Sequence, residues 1–185
     1  MIGVVLAGGA GRRIGGGKPR RVLAGRPLAA YPADALAEVC ERVAIVAKPG
    51  TELPDLDGVE HWDDEPDEPR HPLTGIVHAL ERAGQPVLVC AADMPFVTPE
   101  ALRTLLAAGG SAPAAVAVAG GVLQPVLGLY AQAALDTLRA AEPDAPLTRT
   151  VEALDPARVA LPPPLVRSVD TPEQLAEAEA ELSGS

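Results

Sequence analysis

The sequence predicts an α/β fold in which a mostly parallel sheet is covered by helices on both faces, and two observations carry that prediction. Short apolar runs alternate with longer Ala- and Leu-rich segments, the order expected of strands joined by crossover helices. Hydrophobic residues make up 48% of the 185 positions but aromatics only 2%, so the core must be built from Ala, Val and Leu. Such small side chains favour close packing of helices on a sheet.

Taken in order, residues 2–6 are the first apolar run and are expected as the first strand, and the Ala/Leu segment 27–41 as the first helix. The apolar runs 43–47 and 59–62 are the next strands. Residues 63–71 are acidic and broken by proline, which predicts a mobile surface loop before a helix at 73–83. A strand at 87–91 leads to a helix at 99–108, strands at 114–119 and 125–130, and helices at 131–141 and 147–154. A strand at 166–169 and a helix at 172–182 complete the pattern, with residues 183–185 expected to fray. Two helix starts are written out in the chain. Thr98 precedes Pro99-Glu100 and Thr171 precedes Pro172-Glu173-Gln174, each a hydroxyl N-cap followed by proline at the first helical position and an early acid. No repeat or linker interrupts the chain, so a single domain is expected over 1–185, and the proline run at 161–164 reads as a local extended crossing.

The formal charge of −10 argues against a nucleic-acid partner, which needs a field of Lys and Arg to displace counterions. No run approaches the roughly 20 apolar residues that cross a bilayer, and no signal-peptide pattern opens the chain, so no membrane partner and a cytoplasmic location are expected. Cys40 and Cys90 lie far apart in apolar surroundings, as reduced core residues do, with neither zinc nor a disulfide implied. His61, His71 and His78 lack metal-like spacing, and no Ser or Cys sits in a nucleophile-elbow context, which disfavours covalent catalysis.

Residues 4–19 place six glycines and three cations directly behind the first strand. Glycine lets backbone amides approach an anion without interference from Cβ atoms, and cations complete the neutralisation, so the stretch reads as a phosphate cradle. Neither familiar glycine loop fits. A dinucleotide fingerprint starting at Gly9 and Gly11 meets Ile14 at its third glycine, and a P-loop meets Arg12 and Pro19 at required positions. Lys18, one of two lysines in the chain, is suited to sit over phosphates, and Arg13 to grip one with its forked donors; solvated loop charges are the alternative for both.

In sheets of this kind ligands bind beyond the carboxyl ends of strands. Asp63, Asp64, Asp93 and Asp170 all follow expected strands. Asp93 is delivered by an apolar run to the turn Met94-Pro95-Phe96, where with Asp170 it can hold Mg2+, an ion that needs only one or two protein carboxylates when a triphosphate supplies other oxygens. Capping of a turn by Asp93 and of the last helix by Asp170 is the structural alternative.

Leu6-Ala7-Gly8-Gly9 with Arg13-Ile14-Gly15, Lys18 and Gly25-Arg26-Pro27-Leu28 resembles the signature of the molybdenum cofactor guanylyltransferases, the MobA-like nucleotidyltransferases. The resemblance continues through His71-Pro72-Leu73-Thr74-Gly75, Ala92-Asp93-Met94-Pro95, Gln124-Pro125-Val126 and Val169-Asp170-Thr171-Pro172-Glu173, in the family's order over nearly the whole chain. It implies a three-layer α/β/α sandwich with a Rossmann-like sheet of the nucleotide-diphospho-sugar transferase type, residues 1–26 forming the nucleotide-binding loop. It implies GMP transfer from GTP to the terminal phosphate of molybdopterin cofactor, with release of pyrophosphate and dependence on Mg2+. Under it Leu6, Ala7, Gly8 and Gly9 lie along the nucleoside, Arg13 and Lys18 hold the triphosphate, Asp64 and the Pro72-Leu73 pair flank the nucleoside, and Asp93 binds the metal. The resemblance leaves room for a transient molybdoenzyme or chaperone partner.

The chain also departs from the family. Gly17 replaces the Asp that precedes the loop lysine, the loop is one residue shorter, His71 replaces a glycine and Asp170 an asparagine. The nucleoside-contacting Asn expected at the end of the second strand falls on Val46 or Ala47. These departures bear on the choice of base and acceptor, leaving cytidylyl transfer to the same acceptor, or nucleotidyl transfer to another phosphorylated small molecule, as alternatives. A non-catalytic nucleotide or pterin-cofactor carrier is the alternative of another class.

Overall fold

The computed structural model describes residues 1–8, 18–64, 71–142 and 145–183. In chain order, β1 (Ile2–Leu6) is followed by a small antiparallel hairpin, β2 (Val22–Leu23) with β3 (Arg26–Pro27), then α1 (Ala30–Ala37), β4 (Arg42–Ala47) and β5 (Val59–Asp63). Next come α2 (Pro72–Ala83), β6 (Val87–Ala91), α3 (Pro99–Gly109), β7 (Ala114–Ala119) and β8 (Val122–Tyr130). The chain continues through α4 (Leu135–Arg139), α5 (Leu147–Glu152), β9 (Ala157–Ala160) and α6 (Pro172–Ser183).

Seven strands form one sheet in the order β5-β4-β1-β6-β8-β7-β9, and among them only β8 runs against the rest. The chain moves outward from β1 to β4 and β5, then crosses back through α2 to lay β6 on the other side of β1. Strand order therefore reverses beside β1, which opens a crevice at the carboxyl ends of β1 and β6.

Alternation along β1 splits its side chains between two cores. Ile2, Val4 and Leu6 pack with Leu73, Ile76 and Leu80 of α2 and with Leu138 and Val151 from α4 and α5. Val5 and Ala7 face the opposite core, with Ala33 and Leu36 of α1 and Leu102 and Leu105 of α3. This is the three-layer arrangement expected. Small residues set the layer spacing: a Cβ on Gly3 would stand 2.9 Å from Leu36 Cβ, closer than carbon atoms tolerate. A third cluster of Leu23, Leu28, Val169 and Ala178 seats the hairpin against α6.

Several boundaries differ from the sequence reading for identifiable reasons. The helix expected at 27–41 begins only at Ala30, because Arg26 and Pro27 pair with β2, and it ends at Ala37. The segment 131–141 is a 3-10 turn (Gln132–Ala134) leading into the short α4. The expected strand at 166–169 is absent: Pro163–Val166 form a 3-10 turn, and Val169 reaches the sheet by one backbone bond, its N–H donating to Asp93 O at 2.9 Å. The edge strand is instead β9, which pairs in parallel with β7. Both cysteines are free, Cys90 fully buried and Cys40 half-buried; burial pushes the Cys40 thiol up to about 11.

Candidate active site

The crevice beside β1 is lined by Leu6, Gly8, Val46, Lys48, Asp64, His71, Pro72, Gly75, Ala91, Asp93, Met94, Gln124, Val126 and Ser168, and encloses about 260 Å³. Its walls are the turns that follow β1, β4, β5 and β6, bound to one another by backbone hydrogen bonds. Ala7 N–H donates to Val46 O at 2.9 Å, Asp64 N–H to Ala47 O at 2.8 Å, and Ala92 N–H to Leu6 O at 3.0 Å. Gly75, in the first turns of α2, lets the helix close on the strand end: a Cβ there would lie 3.0 Å from Leu6 Cδ2.

One end of the site is built by three charged residues far apart in sequence. Lys18 Nζ donates to Asp93 and, at 2.5 Å, to Asp170 Oδ1. Each member is held from behind. Lys18 stands in a 3-10 turn (Lys18–Arg20) tied to the hairpin end by Leu28 N–H to Arg21 O at 2.7 Å and Ala29 N–H to Pro19 O at 3.2 Å. Asp170 takes a hydrogen bond from Ser168 Oγ at 2.7 Å, while its N–H donates to Gln174 Oε1 at 2.7 Å. Gln174 in turn donates its backbone N–H to Thr171 Oγ1 at 3.3 Å, a reciprocal cap that starts α6 where the sequence marked it. Burial opposes the charge on Lys18, but the two carboxylates outweigh it and hold the ammonium above its ordinary range.

The other end is a buried ion pair. Lys48 Nζ lies 3.3 Å from Asp64 Oδ2, and the two side chains are only 5% and 6% exposed. Thr74 Oγ1 donates to His71 O at 2.7 Å and lies 3.3 Å from the same Asp64 oxygen. Asp64 is thus part of the wall, not of a mobile surface loop as its acidic neighbours suggested; residues 65–70 of that loop lie outside the described residues. The departure at the end of the second strand is visible in the structure. Val46 lines the crevice with an apolar side chain and Ala47 is buried in the opposite core, so the polar group at this strand end is Lys48.

His71 Nδ1 accepts the Leu73 N–H at 3.3 Å and caps α2, and burial lowers its pKa. A depressed pKa means the neutral ring is favoured in the folded protein, so this contribution is present above the ordinary histidine range and is lost as pH falls through it. We expect melting temperatures of the wild type and His71→Asn, whose side chain caps without titrating, to agree at pH 8. Below about pH 6 the wild type should melt lower than the variant. Parallel curves across that range would remove the cap from the pH dependence.

Of the residues singled out in the sequence, Leu6, Gly8, Asp64, Pro72 and Asp93 line the crevice; Lys18 joins it through Asp93, and Asp170 through Lys18. Ala7 and Leu73 are buried in the two cores beside it. Gly9 and Arg13 lie outside the described residues. Sequence reasoning missed Lys48 and Ser168. The rarity of lysine that drew attention to Lys18 applied equally to Lys48, which directly follows an apolar strand.

Asp93 and Asp170 meet at one ammonium, so their carboxylates reach a common point and offer hard oxygen donors of the kind Mg2+ and Mn2+ take. Among the described residues no cluster of three or more His, Cys, Asp or Glu forms a complete metal cage. Two carboxylates suit an ion whose remaining ligands are water and substrate oxygens. No helix of the described residues is long and apolar enough to cross a membrane.

Comparison with known proteins identifies the family. The model of the MobA-like NTP transferase domain matches residues 3–159. The chain is 35% identical to a molybdenum cofactor guanylyltransferase of Cereibacter sphaeroides, over 98% of this chain and 97% of that one. It superposes on molybdopterin-guanine dinucleotide biosynthesis protein A from Archaeoglobus fulgidus with a TM-score of 0.78 and 25% identity, each chain covered in full (100%). A Mycobacterium tuberculosis protein solved in complex with manganese shares the fold, with a TM-score of 0.73 at 16% identity over 97% of both chains. Sheet order, crevice and sequence together make this chain a member of the MobA-like NTP transferase family.

Proposed function

We propose that the protein transfers GMP from GTP to the terminal phosphate of molybdopterin cofactor and releases pyrophosphate. The observation that carries the reading is the placement of the two charged centres on one crevice. Asp64 follows β5 and Asp93 follows β6, three strand positions apart in the order β5-β4-β1-β6, or roughly 14 Å at ordinary strand spacing. A nucleotide lying across the carboxyl ends meets an acceptor at one end and a cation with two carboxylates at the other.

In this reading guanine presents its N1–H and N2–H donors to Asp64, a carboxylate held by Lys48 and lying beside Thr74. The backbone around Gly8 lies between, where the sugar and first phosphate would sit: among the described residues nothing stands within 4 Å of a Cβ built there. Lys18 supplies positive charge to the triphosphate, and Arg13 joins it from the glycine-rich stretch. Asp93 and Asp170 would hold Mg2+, which when bound offsets repulsion between two anionic reactants. The acceptor phosphate is already ionised near neutrality, so attack at the α-phosphorus needs no strong base. The bond from the acceptor oxygen to phosphorus forms as the bond to the bridging oxygen of pyrophosphate breaks, and the residues contribute alignment and charge neutralisation.

The experiment is pyrophosphate release measured with GTP, CTP, ATP and UTP in turn, with molybdopterin cofactor and Mg2+. Release from GTP well above the others is expected. Release from CTP alone would replace the guanylyl assignment with a cytidylyl one, and tight nucleotide binding with no release from any would favour a carrier.

A further inference from the structure

Lys18 binds both carboxylates that the transferase reading assigns to the metal. Its ammonium donates to Asp93 and to Asp170 Oδ1, and its side chain is only 13% exposed. Ser168 Oγ on Asp170 Oδ2, together with the Val169 N–H on Asp93 O, fixes the two acids against each other from behind. An ammonium and a divalent cation at this point would draw on the same oxygen lone pairs while repelling one another at contact distance. Lysine is suited to leave: it carries a compact charge on a flexible four-carbon stem, so its head can change partners without backbone movement.

We infer that Lys18 is a built-in competitor for the metal, holding Asp93 and Asp170 together until the phosphates of a nucleotide give its ammonium another anionic partner. Metal entry is thereby linked to nucleotide arrival. A ligand that draws Lys18 off the carboxylates raises their affinity for the metal, and by reciprocity the metal raises affinity for that ligand. The inference rests on the proposed nucleotide reading for the second partner, but the competition itself concerns only the metal and the free protein.

The test uses Mn2+ alone, with no nucleotide present, and reads free ion by electron paramagnetic resonance. Lys18→Met should bind Mn2+ about tenfold more tightly than wild type, within the usual range of coupling between sites. Arg20→Gln removes a nearby exposed cation paired with Glu52 at 3.0 Å and controls for general charge. It should change the affinity by less than about twofold, as expected for a screened charge. Equal or weaker binding by Lys18→Met, or an equal gain in Arg20→Gln, would overturn the inference. A second measurement needs no variant to fold well. Because the chain has only Lys18 and Lys48, lysine labelled with carbon-13 at Cε gives two resonances in wild type. Mg2+ at saturation should move one and leave the other, and two unmoved resonances would also overturn the inference. Pyrophosphate release separates the two claims. If wild type turns over GTP but the Mn2+ affinities are equal, this inference fails alone; if no nucleotide releases pyrophosphate, the transferase reading fails while the Mn2+ comparison stands.

Discussion

Asp93→Ala should abolish Mg2+-dependent release of pyrophosphate from GTP while the protein remains folded. Asp93 is only partly buried, and its main chain, which accepts the Val169 N–H at 2.9 Å, is untouched by the change. Lys18 keeps its bond to Asp170, so its ammonium retains an anionic partner. The loss should therefore fall on catalysis. Removing one of two carboxylates that would position a divalent ion forfeits about 4 kcal/mol of transition-state stabilisation, or roughly a thousandfold in rate. Turnover under saturating GTP and Mg2+, alongside a thermal melt of the same preparation, decides the matter. Activity within tenfold of wild type, with an unchanged melt, would remove Asp93 from the reaction.

The second large effect is on stability. Lys48→Met should strip Asp64 of its paired ammonium in a wall where both side chains are about as buried as core residues, 5% and 6% exposed. Breaking a buried pair from one side costs about 3–5 kcal/mol, because the remaining charge stays dehydrated after its opposite charge has gone. For a domain of this length that corresponds to a fall in melting temperature of roughly 6–20 °C. The double variant Lys48→Met/Asp64→Leu removes both desolvation costs and should recover most of the loss, since apolar replacement of a whole buried pair is often neutral. Recovery of stability without recovery of GTP selectivity would separate the structural work of the pair from its recognition role. A Lys48→Met protein that melts within about 2 °C of wild type would mean that water or other groups already satisfy Asp64.

The regular elements were legible wherever local pattern and tertiary packing agree. Ile2–Leu6 and Val87–Ala91 are apolar at every or nearly every position because each is buried between two helical layers, and both stand where they were expected. Thr98 and Thr171 cap their helices by hydrogen bonds to residues three positions on, an interaction contained within four residues. The errors lie where pattern underdetermines pairing. The segment 166–169 and Ala157–Ala160 are both only four residues long and interrupted by an arginine, and their sequences do not say which of them meets a free sheet edge. β9 has the open edge of β7 beside it, whereas Val169 has only the Asp93 carbonyl. At the start of α1, pairing of Arg26 and Pro27 with β2 overrides the helical tendency of the Ala- and Leu-rich residues after Pro27.

The candidate site divides in the same way. Chemistry at single positions is local: a glycine-rich stretch behind a strand, a rare lysine, and acids after β5 and β6 were readable because side-chain charge and backbone freedom belong to the residue itself. Contact between positions is not local. Lys18 reaches Asp93 across 75 residues and Asp170 across 152, and that meeting depends on β6 crossing to the far side of β1 and on α6 packing beneath the hairpin. Lys48 entered the site only through the fold, because the parallel register of β4 and β5 places its ammonium beside Asp64 in the largely buried wall of the crevice. The order of residues thus determined the layers, the caps and the inventory of charged groups. Which charges share oxygens was decided by strand order and burial, since Coulombic partners are chosen by distance through the folded interior and not by distance along the chain.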